Sequence, residues 1–232
     1  MIFFKKPKKE YEILKLFKVV DLETAKKFHT HDSINLILEF LESNYKMLPI
    51  NIDLNYGKKE WFDLKKFKQG YSKFPSDKTF YLTVYFGSSC SMFSFSNDIL
   101  NSNNKKESYI NITMALNQQF LHSEKTLQFI KELNQMSFFD YGYGLRLNED
   151  FDFESERKYK KSLFGLSISS TITEEDIELE KRKINFKNGY FHKVYPFNIF
   201  NKNQINSLNI DQYPNHKLSN FSDKLFYFNL IE

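Results

Sequence analysis

The chain of 232 residues predicts an α+β fold, a largely antiparallel sheet with two or three helices packed on it. Three observations carry that class. Apolar and polar residues alternate in three separate runs, apolar residues recur at helical spacing in two others, and the second helical run lies between strand-like runs. That order suits an antiparallel sheet with helices on one face.

In chain order, Tyr11–Val20 is a weaker strand candidate. The next segment carries Ile34, Ile37, Leu38, Leu41, Tyr45 and Leu48 on one helical stripe, with Asp32 placed to cap the first turn. Ile50, Ile52, Leu54 and Tyr56 then alternate with Asn51, Asp53 and Asn55. Phe80, Leu82, Val84 and Phe86 alternate with Tyr81, Thr83 and Tyr85, and Ile110, Ile112, Met114 and Leu116 with Asn111, Thr113 and Ala115. Met92–Ser96, Tyr141–Leu147, Ser162–Ser169 and Leu225–Ile231 are weaker strand candidates. Asn101–Ser108 reads as a hairpin connection or flexible tip. Leu127, Ile130 and Leu133, extending toward Met136, form a second helical stripe with Ser123 as its cap, and Thr173 is placed to cap a charged helix.

The most aromatic stretch is GYFHKVYPFNIFNKNQINSL, Gly189 to Leu208. It reads as a strand, Gly189–Val194, stopped by Pro196. Asn201 and Gln204 then stand at capping-box spacing before a short helix carrying Ile205 and Leu208. The rings of Phe191, Tyr195, Phe197 and Phe200 are expected to pack around this chain corner. With no internal repeat and no long linker, the expectation is a single α+β domain, 1–232, with residues 1–9 a basic, flexible tail.

Composition narrows the function classes. Apolar residues make up 41% and aromatics 18%, a globular rather than a disordered balance. Residues 1–18 hold six lysines against two glutamates, which accounts for the whole formal charge of +4. The single Cys90 forms no internal disulfide, the opening MIFFKKPKKEYEILK lacks a signal peptide's apolar run, and no window reaches a membrane-spanning length of apolar residues. A cytoplasmic protein without a membrane partner is expected.

No residue cluster announces catalysis. His29, His31 and Asp32 are ordinary zinc or manganese ligand types. A usable site needs a further convergent ligand, and His122, His192 and His216 stand in unrelated contexts. Gly142 and Gly144 do not complete a phosphate loop and fit a strand with close backbone approach. Ser89 and Cys90 lack a nucleophile motif. Glu178, Glu180 and Lys181 sit in a charge run that reads as a solvated helix, and the lysines of KKPKK read as a solvated tail. No catalytic residue, metal or cofactor is expected.

The Tyr141-Gly142 pair, the later Phe164-Gly165-Leu166, the Val194-Tyr195-Pro196-x-Asn198 run before the Asn201-capped helix, and the closing strand Leu225–Phe228 form a pattern. Over residues 110–232 it resembles uncharacterised bacterial proteins encoded beside secreted polymorphic toxins and interpreted as immunity proteins. Where that resemblance leads one to expect an Arg-Asp pair before Val194, the chain has His192-Lys193. The resemblance implies a non-enzymatic cytosolic protein that occludes a cognate protein toxin, with no turnover and no cofactor. Acidic surfaces on such proteins imitate a nucleic-acid backbone and speed association with a basic partner. Here Asp150, Asp152, Glu154, Glu156, Glu174, Glu175, Asp176 and Glu178 would supply one. The alternative is a nucleic-acid-associated protein, such as a nuclease, of a bacterial or phage defence system.

Overall fold

The computed structural model describes residues 8–87, 91–101, 104–137, 139–161, 167–168 and 172–231. Most of the basic N-terminal tail, the Ser89-Cys90 pair, Phe164-Gly165-Leu166 and most of the expected Ser162–Ser169 strand lie outside them.

The chain opens with β1 (Glu10–Asp21), α1 (Leu22–Lys27), α2 (Thr30–Tyr45), β2 (Pro49–Leu54), β3 (Lys59–Trp61) and α3 (Leu64–Tyr71). It continues through β4 (Tyr81–Phe86), β5 (Ser91–Asn97), β6 (Glu107–Leu116), α4 (Glu124–Met136) and β7 (Tyr141–Asn148). Two short pairs follow, β8 (Phe151–Asp152) with β9 (Arg157–Lys158), and β10 (Lys160–Lys161) with β11 (Ser167–Ile168). The C-terminal part adds α5 (Glu174–Arg182), β12 (Phe197–Asn201), α6 (Lys202–Ser207), β13 (His216–Asn220) and β14 (Leu225–Leu230).

Ten of these strands form one sheet in the order β13-β14-β12-β7-β1-β6-β5-β4-β2-β3. Every described pairing within it is antiparallel, as expected. The first strand of the chain thus lies near the middle. It is apolar on both sides, which is what a strand buried on both faces requires. Leu14, Leu16 and Val20 join one core cluster, while Phe17 and Val19 join a second and Tyr11 and Ile13 a third.

The expected helical stripes cover the first face. Ile34, Ile37, Leu38 and Leu41 of α2 pack beside Ile130 and Leu133 of α4, and the Phe40 and Phe129 rings stack with centroids 4.1 Å apart. Ser123 caps α4 as expected, its hydroxyl accepting from the Thr126 amide at 3.2 Å. Asp32 does not cap α2. The helix starts at Thr30 with His29 at the cap position, so Asp32 lies in the first turn, where its charge still favours the helix dipole. Leu48, expected on the same stripe, lies beyond the helix and is exposed.

Two further expectations are corrected. Six α-helices, not two or three, occur among the described residues, and they do not all lie on one face. A 3-10 turn at Lys183–Asn188 brings Phe186 onto the opposite face, where Ile205 of α6 also packs. The two without a sequence signal, α1 and α3, have six and eight residues and make too few turns to display a stripe, whereas the short α5 and α6 are announced by their caps. The strand of the aromatic stretch lies after Pro196, not before it. Gly189 takes a left-handed conformation (φ +104°) to end the 3-10 turn, residues 190–196 are irregular, and β12 starts at Phe197.

The motif around that corner has a mechanical explanation. The fully buried Asn198 amide accepts from the Tyr195 backbone N–H at 2.8 Å and donates to the carbonyls of Tyr195 and Phe228. Asn201 and Gln204 cap α6 reciprocally, as their spacing predicts. Tyr195, Phe197 and Phe200 are buried, and Phe191 packs against Phe200 at 5.1 Å.

The glycines of β7 mark close approach as expected. A Cβ on Gly142 would lie 2.8 Å from Leu16 Cδ2 and 3.1 Å from the Lys15 carbonyl oxygen. Because backbone is among the obstructing atoms, Gly142→Ala is expected to cost about 1–3 kcal/mol, read as a lowered melting temperature. An unchanged melt would show that the sheet relaxes there freely. Among the described residues, no helix is long and apolar enough to cross a membrane.

Candidate functional site

The sheet face opposite α2 and α4 carries a polar row. Strand register sets Thr83, Ser94, Thr113, Lys15, Tyr143 and Asn198 opposite one another on successive strands from β4 to β12. Lys15 is only 3% exposed. Its ammonium donates to Glu156 Oε1 at 2.8 Å and to the Glu154 carbonyl at 2.6 Å. Tyr143 also donates to Glu156 Oε1, at 2.5 Å, and its ring stacks on Tyr195 with centroids 4.0 Å apart. Burial pulls the Lys15 pKa down against the attraction of Glu156. Burial would raise Glu156, but the Lys15 charge and hydrogen bonds outweigh it and hold the carboxyl below its ordinary value. Glu156 reaches this position from a left-handed backbone conformation (φ +60°) in the β8–β9 turn, an uncommon geometry for a residue with a Cβ. The pair clamps the hairpin onto the sheet.

Beside the clamp, the hairpin and the sheet enclose an open pocket of about 320 Å³. Tyr81, Tyr85 and Met92 of β4 and β5 form its floor, and Phe151, Phe153 and Tyr159 form the hairpin side. Glu149, Asp152 and Glu154 add three carboxylates. The Tyr56 ring extends the aromatic wall by stacking parallel on Tyr81, with centroids 4.2 Å apart. Burial pushes the phenols of Tyr56, Tyr81 and Tyr85 up, and the Glu154 carboxylate adds to the shift at all three. Burial also raises Glu154 itself, with Lys15 among the groups opposing it. Negative potential and aromatic faces in one cavity suit a cation, which rings attract through their quadrupoles and carboxylates by charge.

The eight acids expected to form one surface divide among several environments. Asp150 pairs with Lys8, and Asp152 accepts from the Ser155 hydroxyl at 2.6 Å and the Glu154 amide at 3.0 Å. Glu154 and Glu156 turn toward the sheet as described. Asp176 completes the Thr173 capping box, and its carboxylate meets the Arg157 guanidinium at 3.1 Å. That contact joins α5 to the hairpin and so brings the two acidic clusters together. Glu174 and Glu178 are exposed on α5, Glu178 pairing with Arg182, and Glu175 lies in the same helix. Ile172 (63% exposed) and Ile177 (47% exposed) stand among these acids.

Sequence reasoning missed the pocket residues Tyr81, Tyr85 and Tyr159 and the clamp residues Lys15 and Tyr143. Lys15, set between Leu14 and Leu16 in the largely apolar run LKLFKVV, was the available signal. Of the metal-type residues, His29 and Asp32 approach at 3.4 Å on the surface, while the His31 ring turns against Tyr71 at 4.2 Å. No group of three or more His, Cys, Asp or Glu residues is placed to hold a metal ion among the described residues.

No protein-family model and no curated protein sequence matches the chain. Among solved structures it is similar to the Pseudomonas aeruginosa T6SS protein PA0821, with a TM-score of 0.52 at 10% identity, covering 94% of this chain and 64% of that one. The chain therefore spans less than two thirds of that protein, and the likeness is one of fold.

Proposed function

We propose that the chain is a non-enzymatic binding protein of the immunity type, which neutralises a cognate protein toxin by occluding it. In this reading the pocket under the β8–β9 hairpin receives a lysine or arginine of the toxin. One observation carries it: three carboxylates and a wall of tyrosine and phenylalanine rings line a single open pocket. The cation would lie against Tyr81 and Tyr85 and face Glu154, with Glu174 and Glu178 of α5 extending the negative potential that steers a basic partner. The exposed Ile172 and Ile177 would add apolar contact. The fold likeness to a Pseudomonas aeruginosa T6SS protein supports a place in bacterial competition. The nucleic-acid alternative draws on the lysine-rich tail, and the acidic pocket is unsuited to a phosphate backbone.

Neutralisation is the test. Co-expression with the toxin encoded beside this chain's gene should restore growth. A Tyr85→Ala, Glu154→Gln double variant that melts normally should bind the toxin about 10–100-fold more weakly. Undiminished affinity in that variant removes the pocket from the interface, and failure of the unaltered chain to form any complex ends the immunity reading.

A further inference from the structure

A second and larger cavity lies between β7, the Lys193–Pro196 segment before β12 and the end of β14, with a volume of about 680 Å³, within the range of small-ligand sites. We propose that it binds an amphipathic organic anion, a ligand with an apolar body, an anionic head and one N–H or O–H donor. The proposal is independent of the toxin-binding reading, because no residue lines both cavities.

Each part of that ligand class answers to a feature of the cavity. Leu121, Val194, Pro196 and Leu230 supply apolar walls. Gly144 keeps Leu121 in place, since a Cβ there would lie 2.7 Å from the leucine Cδ2. Two cations line the same space. Arg146 uses Nε and Nη2 on Glu12 Oε1, at 3.1 and 2.9 Å, and its side chain remains 53% exposed. The planar guanidinium carries five N–H donors, so part of the fork stays available. The Lys193 ammonium sits 4.7 Å from the Tyr195 ring centroid and makes no ion pair among the described residues. A carboxylate or sulfonate between these groups would gain charge-assisted hydrogen bonds.

The donor is called for by Asn229. Its side-chain Oδ1 is buried with no hydrogen-bond partner among the described residues, and such an acceptor is costly to leave unmet. A ligand N–H close to its anionic head would satisfy it. His122 stands at the same cavity with Nδ1 3.2 Å from the Tyr227 hydroxyl, adding a polar edge.

N-dodecanoylglycine is the probe, since it combines an acyl chain, an amide N–H and a carboxylate, and its neutral amide N-dodecanoylglycinamide is the control. Calorimetric titration of the full chain should show one saturable site for the acid and at least tenfold weaker binding of the neutral amide. Lys193→Gln should weaken the acid at least tenfold in a protein that stays folded, a melt recording what loss of the Tyr195 contact and of the charge acting on Glu156 costs, and Val194→Trp, which fills the cavity, should remove binding. Absence of saturable binding, or equal affinity for the acid and the amide, overturns the proposal. Because the probe comparison uses the unaltered chain, it decides the matter even if a variant fails to fold.

Discussion

Glu156→Gln is expected to destabilise the protein by about 3 kcal/mol at neutral pH. The partner left behind, Lys15, has a side chain only 4% exposed, so its charge would keep one carbonyl contact and lose its counter-ion. Removing one member of a buried pair costs more than the pair contributes, because the remaining ion is still desolvated. The pH dependence has a definite sign. A carboxyl held below its ordinary value contributes stability above that value and loses it as pH falls through the lowered one. The gap in melting temperature between wild type and variant should therefore be widest near neutrality and close in acid, below about pH 4. On the alkaline side, Lys15 in the variant sheds its proton more readily, since burial already pulls its pKa down, and the deficit should shrink again. Melts across the pH range check this. A gap that stays constant in acid would mean that the Glu156 carboxylate is not what the variant lost.

Local features of this fold were legible in the sequence, and long-range ones were hidden. The caps at Ser123, Thr173 and Asn201 depend on atoms three residues apart, and all three form as their spacing predicts. Strands β2, β4 and β6 show clean alternation or close to it, because one face of each meets the core more completely than the other. Strand β1 is a weaker candidate in the sequence, Tyr11–Val20, and forms as Glu10–Asp21. Burial on both faces blurs its alternation, so its central place in the sheet was not legible. The candidate site was half legible: the acids of residues 149–156 stood out as a cluster, but a cluster in sequence does not say which way each carboxylate points. The Glu156 carboxylate faces inward because Lys15, 141 positions away, lies beneath the hairpin, while Lys15 holds Glu154 by its main-chain carbonyl and the Glu154 carboxylate meets the Tyr81 hydroxyl. The tyrosines on the polar side of β4 looked solvent-facing for the same reason, since only the folded hairpin turns that side into a pocket.

Phe197→Ala is expected to cost about 3–5 kcal/mol, the sum of lost transfer energy and an unfilled cavity. Phe197 is fully buried, with the Tyr227 ring at 5.1 Å and the His122 ring edge-on at 5.7 Å. Its strand partner on β7 is Gly144, which has no side chain to fill the gap. Set against the roughly 5–15 kcal/mol that holds a typical domain folded, this loss should lower the melting temperature sharply or prevent folding. Glu178→Lys offers the contrast. Its carboxylate is 54% exposed and pairs with Arg182 one helical turn away, an interaction worth about 0.5 kcal/mol or less. Thermal stability should scarcely change in that variant, while association with a basic toxin slows and loses part of its salt dependence. Melts of both proteins, with toxin association rates measured at two salt concentrations, separate core from surface. A Phe197→Ala protein that melts like wild type but no longer binds would place the interface at the aromatic corner instead of the acidic pocket.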